Sequence, residues 1–162
     1  MKKKIIISDT GPLISLEKLD KGLEFLSMVY EEIIIPQAVF DELSEKEEKL
    51  YKKLRFSGDI KVVKVETIEN IPDVSFLDLG EIEAISLAFQ MKVDLLIEEK
   101  AGRLSAIRMG INRSGIGGVI LKAFREKIIS KKDASKKLQT LKEKGRLDKT
   151  SYSTLIVNIE KI

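Results

Sequence analysis

Ile5-Ile6-Ile7-Ser8-Asp9-Thr10-Gly11 is the stretch that decides the fold. Its isoleucines read as a buried strand over residues 4–8, and that strand delivers one carboxylate, Asp9, at its C-terminal end. In open α/β sheets this edge is where ligands bind. Thr10-Gly11-Pro12 turns the chain, and Leu13, Leu16 and Leu19 then recur at helical spacing. An acid after a strand also caps the next helix in many proteins. Here Thr10 is available for that task, which leaves Asp9 to face the crevice.

Working outward, residues 32–35 form a second short strand, with Pro36 at a first-turn helix position where its missing N–H costs nothing. Residues 24–30 are helical before it. Helices over 37–43 and 45–55 follow it, then turn chemistry at 57–59 and a β-branched strand over 60–65. Residues 79–91 give an amphipathic helix, and residues 94–97 a buried strand that ends in Glu98-Glu99. Beyond it we expect a helix over 103–109, a brief fifth strand over 110–113, and helices over 117–127, 132–144 and 151–160. Alternating strands and helices imply a parallel sheet with helices on both faces. The expectation is an α/β fold with four to five parallel strands, in a single domain spanning 1–162. Strand order is not readable from the pattern.

Composition removes whole classes of chemistry. The chain has 162 residues and contains neither cysteine nor histidine. Disulfides, zinc-thiolate sites, Ser-His-Asp and Cys-His mechanisms and imidazole ligands are therefore excluded. Lys+Arg 29 against Asp+Glu 26 is an ordinary surface balance, although the basic residues concentrate after residue 100. The Lys2-Lys3-Lys4 start is followed by an apolar run too short for a signal peptide, and no stretch is long enough to span a bilayer. A cytoplasmic protein with no membrane association is expected.

The acids carry the functional signal. Glu42 shares a helix face with Ala38 and Val39, whereas Asp41 shares one with Gln37. Glu81 lies in line with Ala84, Ile85 and Ala88, whereas Glu83 lines up with Ser86 and Gln90. Helix phase therefore selects Glu42 and Glu81. Asp78-Leu79-Gly80-Glu81 also fits a capping box, a competing use for Glu81. Of Glu98 and Glu99, one is read as simple turn polarity. Converging carboxylates repel one another unless a cation neutralises them. Mg²⁺ or Mn²⁺ suits such an oxygen-only site and activates water for phosphodiester hydrolysis.

Four motifs in order then carry a resemblance: Ile-Ser-Asp-Thr-Gly-Pro-Leu (7–13), Ile-Pro-Gln-Ala-Val-Phe-Asp-Glu-Leu (35–43), Leu-Gly-Glu-Ile-Glu-Ala-Ile-Ser-Leu-Ala (79–88) and Leu-Leu-Ile-Glu-Glu-Lys-Ala-Gly-Arg (95–103). Over nearly its whole length the chain resembles a PIN domain, of the prokaryotic branch related to the VapC-type toxins. The resemblance implies a three-layer α/β/α sandwich, a Mg²⁺ or Mn²⁺ site and endonucleolytic cleavage of RNA. By motif matching Asp9, Glu42, Glu81 and Glu99 are the catalytic acids, with metal held by Asp9, Glu81, Glu99 and the adjacent Glu98. The family's usual Asp-Asp is Glu98-Glu99 here, and its common threonine is missing from Gly115-Ile116-Gly117-Gly118. The toxin setting implies a small antitoxin protein partner and a homodimer. A catalytically weak or inactive PIN-like module that binds RNA or protein is the rival reading.

Thr10, Lys100 and Arg103 are the expected nucleic-acid contacts, since a guanidinium fork next to the acids suits phosphate. Arg108 and Arg113 are read as solvated surface. The lysine-rich run 131–149 is suited to tracking an RNA backbone. Haloacid-dehalogenase chemistry needs a second Asp where Gly11 stands, a receiver needs an Asp at the end of its third strand, and no Walker or dinucleotide glycine motif follows a strand.

Overall fold

In the computed structural model residues 4–58 and 60–161 are described. Lys2 and Lys3 of the basic start and Asp59 of the expected 57–59 turn lie outside the described residues. Five strands, β1 (Ile5–Ser8), β2 (Glu32–Pro36), β3 (Ile60–Val63), β4 (Asp94–Leu96) and β5 (Arg113–Ser114), form one sheet in the order β3-β2-β1-β4-β5. Every pairing is parallel. The chain builds outward from β1 through β2 to β3, then returns to place β4 on the other side of β1. That reversal is the topological switch point, and the crevice beyond the C-terminal ends of β1 and β4 is where this class of sheet binds its ligands.

The isoleucine runs work because alternate residues of a strand face opposite sides. Ile6, Ile33, Ile35 and Leu96 enter one core, and Ile7, Ile34, Leu95 and Ile97 enter the other. The first core is covered by α1 (Thr10–Glu17), α2 (Gly22–Val29), α3 (Gln37–Lys46), α4 (Glu48–Phe56), α7 (Ile116–Arg125), α8 (Lys131–Glu143) and α9 (Lys149–Glu160). The second is covered by α5 (Leu79–Met91) and α6 (Lys100–Arg108), whose small residues Ala84, Ala88 and Ala106 allow close packing on the sheet. The three-layer sandwich is therefore present. Among the described residues no helix is long and apolar enough to cross a membrane.

Several local expectations shift. Pro36 closes β2 in register with Val63 rather than opening α3. Strand β3 stops at Val63, short of residue 65. Helix α6 begins at Lys100 and ends before Gly110, whose φ of +73° favours glycine. The fifth strand consequently starts only at Arg113.

Candidate metal centre

Asp9 sits at the N-cap position of α1, yet its side chain makes no capping hydrogen bond. Its backbone N–H donates to the Leu96 carbonyl at 3.0 Å, which fixes the end of β1 against the end of β4. The side chain is 4% exposed, and its Oδ1 is buried with no hydrogen-bond partner among the described residues. Burial pushes its pKa from 3.8 up to about 8, partly opposed by the Thr10 backbone N–H and reinforced by Glu81, Asp78 and Glu42. Thr10, expected to serve as a cap or a nucleic-acid contact, is instead buried in the first turn of α1. Its hydroxyl donates to Glu42 Oε2 at 2.7 Å.

Glu81 caps its helix with one carboxylate oxygen and leaves the other one over. Its N–H donates to Asp78 Oδ1 at 2.8 Å and its Oε1 accepts from the Asp78 N–H at 3.1 Å, completing a capping box. The other oxygen, Oε2, is buried and unpartnered among the described residues. Burial raises the Glu81 pKa from 4.5 to about 7; the Asp78 N–H lowers it, and the charges of Asp78 and Glu99 raise it further. Space for Oε2 exists because residue 102 is glycine: a Cβ there would lie 2.7 Å from that oxygen and 2.4 Å from Ile97 Cδ1. The neighbouring Glu83 is drawn away from the crevice, accepting from the Ala38 N–H at 3.0 Å at the start of α3.

Glu42 approaches from α3. Gly80 lets the two helices close up, since a Cβ there would stand 3.3 Å from both Glu42 Oε2 and Val39 Cγ2 and 3.4 Å from Asp78 Oδ1. Lys46 lies 3.5 Å from Glu42 Oε1, and Asp41 is engaged by Gln37 at 2.9 Å on the opposite side. The phase expected from the sequence matches the placement: Glu42 and Glu81 lie near enough to Asp9 for their charges to reach it, while Asp41 and Glu83 are engaged elsewhere.

The Glu98-Glu99 pair divides. Glu99 is exposed at the N-cap of α6, makes no side-chain capping bond, and is near enough for its charge to raise the Glu81 pKa. Glu98 points elsewhere. Its Oε1 accepts from the Ser15 hydroxyl at 2.7 Å and faces Arg146 Nη2 at 3.4 Å, and its Oε2 accepts from the Ile116 N–H at 3.1 Å. Both oxygens are already partnered, so the expectation of Glu98 as a metal ligand gives way to a positioning role. Lys100 and Arg103 are exposed on the first turn of α6, beside Glu99.

Sequence reading missed three residues. Asp78 was read only as a cap, but its charge reaches both Asp9 and Glu81. Ser15 was not singled out. Arg146, between α8 and α9, donates to Ser15 Oγ at 2.9 Å and to the Gly11 carbonyl at 3.0 Å in addition to facing Glu98. The available signal was the one arginine in a run whose other basic residues are all lysine. A planar, multidentate fork is what a junction of three acceptors requires.

Among the described residues no three carboxylates converge into a ready-made metal cage. The donor set still fits a hard divalent ion, because such an ion binds through one or two carboxylates and keeps several waters. Two buried oxygens without hydrogens to accept, on groups that resist ionising alone, are the kind of donors that a bound cation would satisfy. A cavity of ≈530 Å³ on another part of the surface, lined by Leu16, Lys21, Leu50 and Phe56 among others, contains none of these acids.

Known proteins agree with this architecture. A solved structure of a PilT N-terminus domain protein, SSO1118, from the hyperthermophilic archaeon Sulfolobus solfataricus P2 superposes with a TM-score of 0.52 at 19% identity. The match covers 69% of this chain and 87% of that one. At this identity the likeness speaks for the fold alone. No curated protein matches the sequence. The family model described as "DUF3368: PIN domain" matches residues 5–161. With acids at the switch point of a five-stranded parallel sheet and a family match over almost its whole length, the chain belongs to the PIN-domain family, whose members are generally nucleases that use divalent metal ions.

Proposed function

We propose that this protein is a Mg²⁺- or Mn²⁺-dependent endoribonuclease that hydrolyses RNA phosphodiester bonds, and that it acts as the toxin of a toxin–antitoxin pair. The observation that carries the catalytic reading is the pair of buried, unpartnered carboxylate oxygens, Asp9 Oδ1 and Glu81 Oε2, at the switch point. Asp9, Glu81 and Glu99 would hold the ion, with Glu42 beside them. The bound ion supplies positive charge that activates water and steadies the oxygen that leaves phosphorus.

The chain's own residues do the rest. The capping box fixes Glu81 Oε1 and so aims Oε2. The Thr10 hydroxyl and Lys46 orient Glu42 beside it. Lys100 and Arg103 take the phosphate oxygens and offset the charge that builds on them during attack. A small antitoxin protein and a second copy of this chain are the proposed protein partners.

The test is cleavage of structured and unstructured RNA with Mn²⁺, comparing wild type with Asp9→Asn. We expect cleavage by wild type alone. Equal cleavage by both proteins would remove Asp9 from the site, and no cleavage by wild type would leave a binding module. Mass measurement of the purified protein tests the second copy, and co-expression with any short open reading frame found beside the gene tests the antitoxin; a monomer that captures no small protein would overturn both.

A further inference from the structure

A groove of ≈370 Å³ runs from Glu98 along α7 and α9, beside the acid site and separate from it. Its volume falls in the range of small-ligand sites. Leu147 and Leu155, packed over Gly117, give it apolar walls, and Arg103 stands in its lining. Two cations, Arg103 and Arg146, and two anions, Glu98 and Asp148, balance across its lining: Arg146 faces Glu98, and Asp148 accepts from both the N–H and the hydroxyl of Ser151, each at 2.8 Å. These bonds hold the Asp148 carboxyl below its usual range. A groove so balanced suits an uncharged group better than a phosphate.

The hydroxyls in the lining sharpen this. Ser151 spends its proton on Asp148 Oδ2, and Thr154 spends its own on the Thr150 carbonyl at 3.0 Å. Toward a ligand both therefore present lone pairs, which accept hydrogen bonds from a group that donates. An uncharged group with flat apolar faces and donors at its edge, joined to a phosphate at the acid site, is a nucleoside. Glu98 lines the groove, and the next residue, Glu99, borders the acids, so the two sites are one residue apart along the chain. We propose that this groove seats the nucleoside flanking the scissile phosphate, with Arg103 at the junction taking the connecting phosphate. The proposal rests on the nuclease reading for its register and names a second contact for that substrate.

Binding tests it independently of cleavage. Fluorescence anisotropy of a labelled single-stranded RNA oligonucleotide, with Ca²⁺ in place of Mn²⁺, would be measured for wild type, Thr154→Tyr and Ser153→Tyr. Thr154 lines the groove, whereas Ser153 is exposed on α9 outside it. Filling the groove should weaken binding on the order of tenfold, the effect of losing one or two hydrogen bonds to the edge of a seated base. Thr154→Ser should retain wild-type affinity, and Ser153→Tyr should match wild type. Equal binding by wild type and Thr154→Tyr would overturn the proposal, as would no oligonucleotide binding by wild type. Wild type that binds in this groove-dependent way but cleaves nothing with Mn²⁺ would instead sink the nuclease reading and leave the groove standing.

Discussion

The acids gathered at this sheet edge have two opposite kinds of surroundings. Glu81 Oε2 and Asp9 Oδ1 are buried without partners, while Glu98 has a hydroxyl, a backbone N–H and a guanidinium on its two oxygens. The first arrangement is costly by itself, because a buried unpaired polar atom loses its hydration and gets nothing back. The second is self-sufficient. On the proposed reading, the difference separates a site kept open for a ligand from a junction that ties α1, β4 and α7 together.

The largest expected effect comes from neutralising the open side. Asp9→Asn should reduce cleavage to background while raising the melting temperature of protein stripped with EDTA, since it removes a carboxylate that burial opposes. The pH dependence has the same sign. Asp9 and Glu81 have folded pKa values raised to about 8 and about 7, so the fold binds more protons than the unfolded chain. Stripped wild type should be most stable with respect to these groups below the ordinary values of 3.8 and 4.5, and should lose stability as pH rises toward about 8. Thermal melts across that window should slope less for Asp9→Asn. Mn²⁺ affinity should rise over the same interval, because the ion displaces protons.

Crowding the open side comes next. Gly102→Ala should cost about 1–3 kcal/mol and weaken Mn²⁺ binding, because the new methyl collides with Ile97 and Glu81 Oε2. Cutting the locked side should behave differently. Glu98→Ala should cost about 1–2 kcal/mol, reduced from a buried pair by the partial exposure of Arg146 and Glu98, with Mn²⁺ affinity nearly retained. The smallest effect is expected from Asp78→Ala. Loss of the cap should cost about 1 kcal/mol in urea denaturation and loosen Glu81 enough to lower Mn²⁺ affinity modestly.

What the sequence revealed follows from the range of the forces involved. The isoleucine strands and the α5 pattern are local, and so is the helix phase that turns Glu42 and Glu81 toward Asp9; all of this placement was legible. Family likeness to PIN domains placed the four motifs in order, and the fold agrees with it. The division of Glu98 from Glu99 was not legible, because it is made by Ser15, Ile116 and Arg146, which lie 83, 18 and 48 positions away. Thr10 misled for the same reason: its nearest neighbours suggest a cap, and its partner sits 32 positions on. The fifth strand moved because Gly110 ends α6 and the chain needs Ile111 and Asn112 to regain the sheet.

Mn²⁺ titration by calorimetry addresses the contrast between the two acids most directly, using wild type, Glu81→Gln and Glu98→Gln at a pH above about 8, where Asp9 and Glu81 are mostly ionised. Wild type and Glu98→Gln should bind Mn²⁺ with similar affinity, and Glu81→Gln should bind it far more weakly. Equal losses in both variants, or retention in Glu81→Gln with loss in Glu98→Gln, would contradict the assignment of the open and locked acids.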